Sequence, residues 1–128
     1  MRTHAIRHHF LRVAAPLGVV MAGLATSASA FEPGNTECIA PAGAGGGWDF
    51  TCRQIGSIMY EIGAVDTPVQ VTNMAGAGGG LAFNTVVNER GDDADLIVAA
   101  SSATTTRLAQ NAYSGRTAGE VRFVGAIG

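Results

Sequence analysis

The chain contains no lysine, and its three histidines all fall within the first nine residues. The first absence excludes a Walker loop, whose lysine reaches the phosphates. Glycine spacing excludes the dinucleotide fingerprint as well: GxGxxG begun at Gly43 would need glycine where Trp48 stands, and begun at Gly76 would meet Leu81. Beyond residue 9 there is no histidine to act as a base or a metal ligand, no Gly-x-Ser-x-Gly elbow and no carboxylate pair at a useful spacing. The expectation is therefore a protein that is not an enzyme, with no cofactor and no metal. Cysteine is scarce too. Cys38 and Cys52 are too far apart for a CxxC redox motif and too few for a zinc cluster.

What is present begins with a leader. Arg2, Arg7 and Arg12 precede an apolar run from Val13 to Leu24, and Ala28-Ser29-Ala30 ends it in the small-x-small pattern that signal peptidase accepts. The run holds 12 residues and includes Pro16, whereas a spanning helix needs about 20. Residues 1–30 thus read as a signal peptide cleaved after Ala30, and the destination as the periplasm. Residue 31 is Phe rather than the Cys a lipid anchor would require.

Cleavage leaves residues 31–128, enough for one small domain, with five arginines against ten acids. That balance argues against nucleic acid or an anionic membrane as partner, both of which call for clustered basic side chains. Outside the cytoplasm an isolated cysteine pair is expected to be oxidised, so Cys38–Cys52 is read as a disulfide, the alternative being two buried thiols.

The chain then repeats one pattern. Glu37–Ala40 reads as a strand, Ala42–Gly47 as a glycine-rich loop, and the stretch from Asp49 as a helix with Ile55, Ile58, Met59 and Ile62 on its apolar face and Gly63 as its C-cap. Val69–Val71 is a second strand, Ala75–Gly80 a second glycine loop and Leu81–Arg90 a second helix. Leu96–Ala100 is a third, almost wholly apolar strand, followed by the hydroxyl-rich segment Ser101–Thr106. Asp92, Asp93 and Asp95 fit the turn before it. Thr117–Glu120 matches a capping box, and Val121–Ile127 is a fourth strand candidate. Strand, loop and helix in repetition predict an α/β fold, a parallel sheet with flanking helices, whose ligands bind at the carboxyl ends of the strands.

Each glycine loop opens a helix, where unsatisfied N–H groups and the helix dipole favour an anion, and glycine lets a ligand approach the backbone. A carboxylate or a phosphate suits such a site without any lysine. Several side chains admit two readings. Asp49 is either a first-turn residue favoured by the dipole or a ligand contact, and Trp48 either flanks the pocket or packs on the sheet. Arg107 either meets an anion or is an ordinary surface arginine. The Ser/Thr segment either hydrogen-bonds ligand oxygens or is a polar connector.

Glu37-Cys38-Ile39-Ala40-Pro41-Ala42 and Gly45-Gly46-Gly47-Trp48-Asp49-Phe50-Thr51-Cys52-Arg53 closely resemble the first motif of the substrate-binding proteins of tripartite tricarboxylate transporters, the Bug family, and most of all its tricarboxylate-binding branch. Val69–Met74 with Ala75-Gly76-Ala77-Gly78-Gly79 is similar to that family's second motif, and Val121–Gly125 to its fourth-strand region. Position 75 is Ala where the family often has Pro. The resemblance covers nearly all of Thr36–Gly128. It implies one lobe of a type II periplasmic-binding-protein, or Venus-flytrap, fold that holds a citrate-like di- or tricarboxylate and passes it to a two-component membrane permease. It points to Gly45, Gly46, Gly47, Trp48 and Asp49 in the first loop, Gly76, Ala77, Gly78 and Gly79 in the second, and Ser101 and Ser102 after the third strand. A monomer is expected.

Members of that family have a second lobe, which these residues do not supply. Residues 31–128 are accordingly expected to be a partial N-terminal lobe, a fragment or truncated product whose own binding is weak or absent. The competing expectations are a truncated product without function and a small secreted α/β enzyme with an oxyanion-type site at the glycine loops.

Overall fold

A computed structural model describes residues 31–127; the leader lies outside the described residues. The elements in order are β1 (Glu37–Ala40), α1 (Gly47–Glu61), β2 (Gln70–Asn73), a 3-10 turn (Ala77–Gly79) running into α2 (Gly80–Glu89), β3 (Leu96–Val98), α3 (Ser102–Ala109) and a second 3-10 turn (Ala118–Glu120). The three strands form one parallel sheet in the order β2-β1-β3. Strand order therefore reverses at β1; α1 packs on β1 and β2, and the right-handed crossover rule assigns α2 to the opposite face. No helix among the described residues is long and apolar enough to cross a membrane.

Register decides which side chains share a face. Cys38 lies beside Val71 and Ile97, and Ile39 beside Thr72 and Val98. On the α1 side Cys38, Ala40 and Ala99 pack with Cys52, joined by Trp48, Val69, Val71 and Ile97. The Cys38–Cys52 disulfide is formed, and it ties α1 to the central strand. A second cluster, Phe83, Leu108 and Tyr113 with Val87 and Val121, joins α2 to α3.

Helix α1 starts at Gly47, two residues before the expected Asp49, and ends in a Schellman turn. Gly63, at φ +71°, donates its N–H to Tyr60 and Ala64 donates to Met59. The apolar stripe predicted for this helix is not the face it buries. The sheet side is formed by Asp49, Cys52 and Gly56, while Ile58 is 49% and Ile62 72% exposed. Close approach is the reason. The disulfide draws Cys52 onto β1, and a Cβ placed on Gly56 would stand 2.8 Å from the Val69 Cβ, so only a small residue fits there. Ile55 and Met59 flank this contact half-buried.

Two further expectations need correction. The hydroxyl-rich segment is helical: Ser101 precedes α3, its N–H donates to Thr104 Oγ1, and Thr105 and Thr106 each return a hydroxyl hydrogen bond to the Ser102 carbonyl. The weak helix preference of β-branched threonine is offset by these bonds and by burial of Leu108. Val121–Ile127 forms no strand. Arg116 hydrogen-bonds Asn84 and Asn88 of α2 and pairs with Glu120, while Glu120 accepts the Thr117 N–H in the predicted capping turn. Val121 then packs on the α2–α3 cluster. The chain is thereby held against α2, and the outer side of β3 has no strand partner among the described residues.

Candidate functional site

The ends of the three strands bring the first glycine loop, the second glycine loop and Ser101 to one edge of the sheet. In the first loop Gly46 donates its N–H to the Gly43 carbonyl, and Gly45 adopts φ +81°, a conformation costly for any residue with a Cβ. Asp49 is the fastener. Its side chain is buried, and it accepts hydrogen bonds from the Gly45 N–H at 2.8 Å, from Asn73 Nδ2 at 2.9 Å and from Arg53 Nε at 3.0 Å. Arg53 Nη2 adds a second contact at 2.9 Å. Hydrogen bonding from Arg53, then from the Gly45 N–H and from Asn73, holds this carboxyl down to about 2. Asn73 also donates to the Ala42 carbonyl at 3.1 Å, so the last residue of β2 braces both ends of the loop.

Asp49 is thus turned back into its own loop and neutralised there. The N–H groups of Gly47, Trp48 and Asp49, the first turn of α1, have no hydrogen-bond partner among the described residues, and no side chain caps this helix.

The second loop is held by shape. Ala77, Gly78 and Gly79 have φ of +49°, +61° and +98°, following Gly76 at +156°. A left-handed alanine is uncommon and strained. Tyr113, almost completely buried, donates its hydroxyl to the Gly78 carbonyl at 2.6 Å and lays its ring against Gly80. Gly79 is where the two loops meet. A Cβ built there would stand 3.6 Å from Trp48 Cη2 and 3.6 Å from Pro41 Cβ. Trp48 packs with the sheet core, and its ring reaches toward the second loop.

Ser101 and Ser102 are exposed at the end of β3; Ser101 forms the capping box of α3 with Thr104, and the Ser102 hydroxyl has no hydrogen-bond partner among the described residues. Neither serine is hydrogen-bonded to a glycine loop. A separate polar groove of about 220 Å³, lined by Gly34, Asn35, Thr36, Thr67, Pro68 and Gln70, lies at the opposite, amino-terminal end of the strands. It contains none of the sequence-predicted residues, and ligands of open α/β sheets bind at the other end.

Sequence reasoning missed Asn73 and Tyr113, and it passed over Arg53. The Asp49–Arg53 pair has the i, i+4 spacing of a helical ion pair and was open to detection. Asn73 and Tyr113 act across 24 and 35 residues of chain, distances that no local pattern reveals. Compared with known proteins, the chain matches no family model, no curated protein and no solved structure.

Proposed function

We propose that this chain is the periplasmic solute-binding component of a tripartite tricarboxylate transporter, of the Bug family's tricarboxylate-binding branch, contributing the first lobe of a type II periplasmic-binding-protein fold. It captures a citrate-like di- or tricarboxylate at the carboxyl edge of its sheet and presents it to a two-component membrane permease. The observation that carries this reading is the first turn of α1, whose three N–H groups are unpartnered beside a carboxylate already neutralised by Arg53. An approaching anion meets aligned donors and an ion pair, not a bare negative charge. The Trp48 ring reaches toward Gly79 of the second loop, and the exposed Ser102 hydroxyl adds a donor along the same edge.

For residues 31–128 on their own, which offer contacts from one lobe, the expected Kd is about 1 mM. Trp48 is the single tryptophan and lies at the junction of the loops, so its fluorescence reports occupancy. Titration with citrate at constant ionic strength is expected to saturate, and an equal concentration of a neutral polyol to change nothing. A linear, unsaturated response to citrate on folded protein contradicts the proposal.

A further inference from the structure

Five arginines lie in the described residues, and three are paired: Arg53 with Asp49, Arg90 with Glu37 and Asp93, and Arg116 with Glu120. In a chain with ten acids against eight basic residues, an arginine left without a carboxylate invites an explanation. Arg122 sits in the exposed, irregular stretch after the second 3-10 turn. Arg107 is exposed as well, on α3, but a particular surface lies under it. A Cβ built on Gly78 would stand 2.6 Å from its Cζ, 2.9 Å from Nε and 3.0 Å from Nη1. Those nearly equal distances put the missing Cβ above the centre of the guanidinium plane, so Arg107 lays its flat face on the bare Cα of Gly78. Its N–H donors lie in the plane, along the rim, and none has a partner among the described residues.

The perch is built for this. Any side chain at Gly78 would occupy the space of the guanidinium, and the Tyr113 hydroxyl fixes the Gly78 peptide from its carbonyl. A Cβ built on the next residue, Gly79, would meet the Trp48 ring at 3.6 Å. A cation with an open planar fork thus lies over Gly78, and the ring of Trp48, a first-turn residue of α1, reaches toward the adjacent Gly79. The fork matches a carboxylate in a bidentate manner, which neither a lysine nor a helix terminus does.

We infer that Arg107 binds a second carboxylate of the ligand and makes the site selective for di- and tricarboxylates over monocarboxylates. This rests on the carboxylate-binding reading above and adds to it the residue that counts charges. The test compares citrate with acetate, read by Trp48 fluorescence at constant ionic strength, in the wild type, Arg107→Gln, Arg107→Lys and Gly78→Ala. Arg107→Gln is expected to weaken citrate about tenfold or more while changing acetate less than about twofold. Arg107→Lys is expected to recover only part of the loss, because the charge returns without the fork. Gly78→Ala moves the guanidinium without removing it, and is expected to reduce citrate binding in the same selective way. Citrate bound equally by wild type and Arg107→Gln overturns the role of Arg107 and leaves the carboxylate site standing, as does an equal loss of citrate and acetate. A wild type that binds neither acid overturns both.

Discussion

The two glycine loops occupy equivalent places, each between a strand and the helix that follows it, yet different forces hold them. The first is fastened by charge: Asp49 gathers Gly45, Asn73 and Arg53, and the disulfide below it fixes α1 to β1. The second is fastened by shape: left-handed backbone from Ala77 to Gly79 is wedged under the Tyr113 ring and tied by one hydroxyl. Similar glycine runs thus conceal two ways of fixing the loop between a strand and the helix that follows it. The first loop should respond to pH and to loss of its cross-link. The second should respond to a methyl group.

The largest expected effect is on the first loop. Replacing both Cys38 and Cys52 with alanine opens a bridge spanning 14 positions of chain, and about 3 kcal/mol of stability should be lost in the chain-entropy account. The denaturant midpoint measures it. Next comes Gly80→Ala in the second loop. The new Cβ would lie 2.8 Å from the Tyr113 ring, which is buried and has no room to retreat, and overpacking of this kind costs about 1–3 kcal/mol. Tyr113→Phe keeps the ring and removes only the bond to the Gly78 carbonyl. Thermal denaturation should show a loss of about 1 kcal/mol.

Asp49→Asn probes the first loop through pH: its cost should be full at neutral pH and should vanish in acid. The folded carboxyl titrates at about 2, below an unfolded value of about 3.9. Its charge therefore stabilises the fold fully above about pH 4, and that contribution is lost as pH falls toward about 2. Asp93 and Glu120 are shifted the same way, by Arg90 and by the Thr117 N–H respectively, so the wild-type acid profile alone is a composite. The difference between wild type and Asp49→Asn isolates the first loop. Gly80→Ala and Tyr113→Phe should leave that difference unchanged.

The parts of this architecture legible in the sequence are those where neighbours decide the outcome. Strand β1, both glycine loops, the Gly63 terminus of α1 and the Thr117–Glu120 turn are each specified within a few residues. The cysteine pair was readable because only two cysteines exist. Long-range packing decided the rest. Ile58 and Ile62 follow helical spacing faithfully, but Cys52 and Gly56 set the face that α1 presents to the sheet. Ser101–Thr106 has the composition of a connector and became a helix once Leu108 found Phe83 and Tyr113. Val121–Ile127 has the composition of a strand, yet Arg116 holds its approach against α2. At the candidate site, the glycine loops follow from local pattern, whereas the residues that hold them, Asn73 and Tyr113, are distant in the chain.

Amide chemical shifts test the central claim most directly. With uniformly labelled protein titrated with citrate at constant ionic strength, saturable shifts are predicted at Gly45, Gly46, Gly47, Trp48 and Asp49, with a second group at Gly78 and Gly79. Shifts confined to the groove around Gly34, Thr36 and Gln70, or no saturable shift anywhere, would contradict a carboxylate site at the glycine-loop edge.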